Sequence, residues 1–282
     1  MPTVDVRGVQ HYYEWIRHSE ESNKPVMVFV HGWGGSGRYW QSTAEAIADH
    51  FDCLLYDMRG FGRSGMPQAG EDLGYGMEDY AEDLAGLLDA LNLKRVYLNA
   101  HSMGASITTL FINRYRERVH QAILTCNGIF EYDAKAFAAF HKFGGYVVKF
   151  RYDWFLKFPF ADRLFMARFL HRPIAKSDRM AFLEDFLLAD YNAAVGTIYT
   201  SVSEHAVKTM PQEFAQVDVP TLMVSGEKDI IIPAKMGRQA AALSENIQYA
   251  ELAKTSHFPM LEDPATYLQI IHDFLQVETV AA

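Results

Sequence analysis

Short apolar runs bounded by turn residues alternate with helical patterns along most of this chain, and that alternation limits the fold more than any other feature. Pro25–Val30 (PVMVFV), Phe51–Tyr56, Arg95–Ala100, Val119–Cys126, Pro220–Ser225 and Ile247–Glu251 each read as a strand. Arg38–His50, Glu78–Leu91, the stretch from Ser102 to Tyr115 and Pro264–Gln276 read as helices between or after them. In the last of these, Tyr267, Leu268, Ile271, Phe274 and Leu275 share one face. Thr3–Arg7 and Gln10–Arg17 turn at Gly8 and give an antiparallel hairpin at the start. Together these segments predict the α/β class, with a mostly parallel twisted sheet flanked by helices.

The rhythm breaks between about Asn127 and Met210, where the patterns are helical and no convincing strand occurs. An interruption of roughly 80 residues is too long for a loop, so it predicts an inserted helical subdomain. The expected organisation is a core of residues 1–126 and 211–282 with a helical cap at 127–210. The final residues, Glu278–Ala282, read as a loosely ordered tail. A hydrophobic fraction of 49% and a charged fraction of 22% are those of a globular protein. A net charge of −9 disfavours whole-molecule attraction to nucleic acid or to an anionic membrane. Cys53 and Cys126 sit in apolar runs and form no CxxC pair, so buried reduced thiols are expected, with neither a disulfide framework nor a zinc site. The charged, alternating N-terminus does not read as a signal peptide, and no uncharged stretch reaches the ~18 residues of a membrane span. A cytoplasmic location is the expectation.

The strongest chemical signal is Asn99-Ala100-His101-Ser102-Met103-Gly104. A strand ends and a helix begins within two or three residues of Ser102. Such a turn strains the backbone and demands small residues two before and two after the serine, which Ala100 and Gly104 satisfy. A serine hydroxyl is a weak nucleophile without a base, and His257 lies where one is needed, after the last strand and before the final helix. The imidazole in turn needs a carboxylate to fix its tautomer. Asp229, just past the Pro220–Ser225 strand, is the candidate, with Glu227 as competitor; the further residue on the loop can turn back toward the histidine. The order Ser, Asp, His follows. A tetrahedral intermediate would also need oxyanion donors. The Met103 backbone N–H, at a helix start, is one; the other should come from His31-Gly32-Trp33-Gly34-Gly35, with Trp33 favoured over Gly34. That glycine-rich loop lacks both GxxxxGK[ST] and GxGxxG spacing, so a nucleotide site is not expected. The charges of Asp57–Ser64 flank a glycine turn and read as structural support.

HGWGGSGRYW, YDMRGFGRS (Tyr56–Ser64), AHSMG, GEKD and SHFPMLEDP, in this order, resemble the α/β-hydrolase superfamily, in particular its cap-bearing branch of esterases, carbon–carbon bond hydrolases and perhydrolases. The resemblance covers about Pro25–Cys126 and Pro220–Gln276. It implies an α/β-hydrolase fold, activity without metal or organic cofactor, and an insert that acts as a lid. Members that open epoxides or remove halogen carry aspartate at the nucleophile position; Ser102 stands there here.

The insert is unusually aromatic, with 14 Phe, Tyr or Trp between Phe130 and Phe169. From Phe130 to Arg172 it carries eight Lys or Arg against four acids, about +4 against about −13 elsewhere. A helical cap with an aromatic core is the plain expectation; an apolar pocket for a bulky acyl or aryl group is the sharper one. The basic excess suits an anionic partner, such as a carboxylate-bearing substrate, an acyl carrier or a lipid surface. The expected activity is hydrolysis of a carboxylic ester or thioester of a hydrophobic substrate through an acyl-serine. The alternatives are hydrolysis of a carbon–carbon bond in a vinylogous diketone-type substrate with the same triad, and a ligand receptor without turnover.

Overall fold

The computed structural model describes residues 2–19, 22–68, 73–131 and 133–276; the expected tail at Glu278–Ala282 lies outside them. Eight strands form one sheet: β1 (Thr3–Val6), β2 (Val9–Ile16), β3 (Val26–Val30), β4 (Asp52–Tyr56), β5 (Val96–His101), β6 (Val119–Thr125), β7 (Thr221–Gly226) and β8 (Ile247–Leu252). Their spatial order is β1-β2-β4-β3-β5-β6-β7-β8. The β1–β2 and β2–β4 pairings are antiparallel and all others are parallel. The helices are α1 (Gln41–Ile47), α2 (Met77–Ala90), α3 (Met103–Arg114), α4 (Ala134–Lys149), α5 (Ala161–Met166), α6 (Lys176–Leu188), α7 (Tyr191–Ser201), α8 (Glu204–Gln216), α9 (Ala234–Ala241), α10 (Pro259–Glu262) and α11 (Pro264–Leu275).

The continuous apolar runs become strands because both sheet faces are covered. Side chains alternate between faces along β3: Val28 and Val30 enter one core with Leu84, Leu88, Ile107 and Phe111 of α2 and α3. Met27 and Phe29 enter the other, with Ile47 of α1 and Tyr267, Ile271 and Phe274 of α11. Full burial of a side chain such as Phe29 contributes about 1.5–3 kcal/mol. The helix α9 is absent from the sequence expectation because its buried positions are Ala234, Gly237, Ala240 and Ala241, which make no large apolar stripe.

Between β6 and β7 the described residues contain helices and no strand. Helix α8 crosses position 210 and buries Met210 and Phe214 in the core beside α3, where Asn113 Nδ2 donates to the Glu213 carbonyl at 2.8 Å. The aromatic density of the insert is used differently from a plain aromatic core. Phe165 and Phe169 turn inward with Phe182 and Phe186, whereas Phe143, Phe158 and Phe160 stand in solvent. No helix among the described residues is long and apolar enough to cross a membrane.

The parallel strands bring four loops to one edge of the sheet. The loop after β3 holds His31–Gly35, β5 runs into Ser102, the turn after β7 holds Asp229, and the loop after β8 holds His257. This carboxyl edge is where ligand-handling groups gather in open α/β sheets.

Candidate active site

Ser102 sits between β5 and α3 at φ 53°, ψ −123°, a conformation that non-glycine residues rarely adopt. Its N–H is held by the Thr125 carbonyl at 2.8 Å. The sharp turn presses the start of α3 against β3. A methyl on Gly104 would lie 2.3 Å from the His31 carbonyl oxygen and 2.8 Å from that of Val30, so only hydrogen fits. Ala100, on the other side of the turn, is completely buried.

The structure brings together three of the groups singled out by sequence. His257 Nδ1 lies 2.7 Å from Asp229 Oδ2, and His257 Nε2 lies 3.1 Å from Ser102 Oγ. With the imidazole neutral, its Nδ1–H donates to the carboxylate and its Nε2 accepts from the serine hydroxyl. The other carboxylate oxygen, Asp229 Oδ1, accepts from the N–H groups of Ile231 (2.8 Å) and Ile232 (3.1 Å), which fixes the side chain's orientation. Glu227 does not take part: it accepts the Lys254 N–H at 2.8 Å and pairs with Lys228 at 2.7 Å. Close contact between the two loops rests on Gly226, where an added methyl would lie 2.0 Å from the Ser256 carbonyl oxygen.

The loop after β3 packs directly on the serine; a methyl on Gly32 would stand 3.1 Å from Ser102 Cβ. Gly34 takes φ +72°, which favours glycine. The backbone N–H groups of Trp33 and Met103 have no acceptor among the described residues, so both remain able to donate. The Trp33 side chain reaches away from the loop: its indole N–H donates to the Ala194 carbonyl at 2.9 Å, and its ring lies 5.6 Å from that of Phe186.

Several supporting groups carry no sequence signal strong enough to single them out. His101, beside the serine, donates from Nε2 to the His257 carbonyl at 2.7 Å and accepts at Nδ1 from the Tyr39 hydroxyl at 3.0 Å. The same hydroxyl accepts the Gly32 N–H. A hydrogen-bonded relay thus joins the glycine loop to the His257 loop beneath the serine. His31 works alike on the other side, donating from Nδ1 to the Gly32 carbonyl and accepting the Met58 N–H at Nε2, both at 2.8 Å. Burial, followed by the neighbouring His257, holds His101 well below the ordinary histidine range; burial lowers His31 as well. Both rings are therefore neutral supports.

Glu262 is a second missed support. Its buried carboxylate accepts Ser256 N–H (2.8 Å) and Phe258 N–H (3.4 Å) on one oxygen, and His171 N–H and Arg172 N–H (both 2.7 Å) on the other. One side chain thereby fastens the residues flanking His257 to the insert. The His257 N–H itself is held by the Phe169 carbonyl at 2.9 Å. On the opposite flank Asp185 of α6 accepts Ser36 Oγ–H at 2.6 Å and Arg38 Nε–H at 3.0 Å. The Asp57 segment is likewise structural: its carboxylate takes Arg63 Nε–H at 2.7 Å and Gly37 N–H at 2.8 Å.

His101, Cys126 and His257 are the one trio of potential metal ligands among the described residues, with donor atoms within 4.8 Å of one another. Their imidazoles are already engaged by Tyr39, the His257 carbonyl, Asp229 and Ser102, and burial pushes the Cys126 thiol well above its ordinary range. Both cysteines are buried and free.

Strained serine, glycine loop and sheet edge define a class of fold, and residues 25–264 match the family described as alpha/beta hydrolase fold. The chain belongs to the α/β-hydrolase family. It is 25% identical over 268 residues to the protein named "Putative carbamate hydrolase RutD" of Pantoea ananatis (strain LMG 20103), covering 94% of this chain and 93% of that one. Among solved structures it is similar to the enol-lactonase from Burkholderia xenovorans LB400, with a TM-score of 0.79, 20% identity, and 98% and 100% of the two chains covered. It is also similar to the bromoperoxidase from Bacillus anthracis, with a TM-score of 0.80, 21% identity, and 98% and 99% coverage. At these identities the structural likeness establishes the shared fold.

Proposed function

We propose that this chain is a serine hydrolase that cleaves a carboxylic ester or thioester of a hydrophobic substrate through an acyl-Ser102 intermediate. The observation that carries the reading is the unbroken hydrogen-bonded line from Asp229 through His257 to a serine held at φ 53°. In this reading Ser102 Oγ attacks the substrate carbonyl carbon while His257 Nε2 takes the hydroxyl proton. Asp229 keeps the Nδ1–H tautomer and stabilises the imidazolium that forms. The negative oxygen of the tetrahedral intermediate accepts from the N–H groups of Trp33 and Met103. Collapse breaks the bond to the alcohol or thiol, which leaves with the proton from His257. Water then attacks the acyl-serine with His257 as base, releasing the acid and restoring Ser102. Aromatic side chains near the site, Phe169 at 6.1 Å from the His257 ring and Phe186 beside Trp33, favour an apolar acyl or leaving group. The insert then acts as a lid over this site.

The test is turnover of p-nitrophenyl esters across a range of acyl lengths, with a thioester and a carbamate added, for the native chain and Ser102→Ala. The reading expects ester turnover that falls by at least ~10⁴-fold in the variant. Full activity in Ser102→Ala would remove the serine from the mechanism. A native chain inert toward every ester and thioester would overturn the assigned bond type.

A further inference from the structure

The outer layer of the insert turns the usual amphipathic helix inside out. Helix α4 packs on α7 through His141, whose ring lies 5.0 Å from that of Tyr199, and through Gly144 and Gly145; a methyl on Gly144 would meet Ile198 at 3.0 Å. The small residues let the two helices approach, and they leave the bulk outside. Phe140, Phe143, Val147 and Phe150, at spacings of three, four and three, form one stripe that is 45–68% exposed. The chain beyond α4 exposes further apolar side chains: Trp154, Phe158, Phe160 and Leu164 are 54–74% exposed. Phe160 is held at φ +64°, a conformation a bulky residue seldom takes, with its ring in water. Monomeric proteins rarely expose contiguous apolar surface on this scale without a partner.

Charge identifies the partner. From Ala134 to Phe160 there are five Lys or Arg and a single Asp, in a chain whose net charge is −9. Lys142, Lys149 and Lys157 are exposed and make no ion pair among the described residues. Lys149 lies 6.0 Å from the Phe150 ring, and Arg163 lies 5.7 Å from that of Phe160. Cations with long stems beside Phe, Trp and Tyr suit the boundary of a bilayer, where rings enter the acyl region and ammonium groups stay among headgroups. The rest of the chain carries the acidic excess, so an anionic surface favours approach by this face.

We infer that the outer aromatic–basic face of the insert, formed by α4 and the segment through Leu164, docks the protein peripherally on anionic lipid bilayers. The inference is independent of Ser102 chemistry, because Ser102→Ala should bind vesicles like the native chain.

The full chain would be sedimented with vesicles of phosphatidylcholine and of phosphatidylcholine mixed with phosphatidylglycerol. The native protein should partition into the anionic vesicles and be released by salt. Lys142→Glu and Lys149→Glu should each weaken partitioning by about fivefold or more, and Phe143→Ser should weaken it by about tenfold. Unchanged thermal unfolding of these variants in solution would separate lost docking from lost folding. Absence of binding to either vesicle would overturn the inference. So would equal binding to both that ignores Lys149→Glu, or a stable dimer that Phe143→Ser dissociates, which would make a second copy the occupant.

Discussion

Two layers of the same insert treat their aromatic side chains in opposite ways. On the inner layer Phe182 and Phe186 are 5% and 4% exposed and pack against the glycine loop, while Asp185 between them grips Ser36 and Arg38. On the outer layer Phe143 and Phe160 are 68% and 69% exposed. The inner rings thus serve the sheet edge where Ser102 sits, whereas the outer ones join neither hydrophobic core among the described residues. Aromatic content therefore does not report burial; what decides it is which face of each helix carries the small residues that permit close packing.

The comparison sharpens into a series of substitutions. The largest loss of stability is expected at the turn that presents Ser102. Gly104→Val puts side-chain atoms into two carbonyl oxygens and should destabilise by about 4 kcal/mol or prevent folding, read from denaturant unfolding. Survival with native stability would mean that the turn is far looser than described. Next is the fastening between insert and core. Glu262→Gln sets an amide N–H₂ against backbone N–H groups; it should cost about 1–3 kcal/mol and lower kcat by about 10- to 100-fold through a loosened His257. A fall in stability with kcat untouched would confine Glu262 to a structural role.

A third effect concerns pH. His101 is kept neutral in the fold, chiefly by burial, well below its ordinary value of 6.5, whereas the unfolded chain takes up the proton near that value. The native state then binds fewer protons, so stability is fully present above pH 6.5 and declines as pH falls toward the folded value. His31 acts in the same direction. Melting temperature should drop below that pH; a rise on acidification would contradict the neutral-support assignment. The smallest effect belongs to the outer layer, where Phe143→Ser should change stability by less than about 0.5 kcal/mol. A large loss there would show that the outer rings pack against something in the chain after all.

These contrasts also mark how far the sequence could be read. The central strands β3, β4 and β7 were legible because burial on both faces leaves nearly uninterrupted apolar runs between turns. Ser102 was legible because its turn imposes small residues at Ala100 and Gly104, and the meeting of Asp229 with His257 followed from their places after successive strands. His101, Tyr39 and Glu262 were not, because each acts through partners far away in the chain, Glu262 bridging to residues 171–172. Across α4 the pattern reads as helical, which does not tell which face packs inward. The glycines at 144 and 145, which decide that, matter only against α7.

The central claim, that Ser102 becomes acylated, is tested most directly by intact-protein mass spectrometry after acid quench of a reaction with an activated ester. The account predicts a mass gain equal to the acyl group, located on the peptide containing Ser102 and absent from Ser102→Ala. Turnover without any adduct on that peptide, or an acyl group on another residue that persists in the variant, would contradict it.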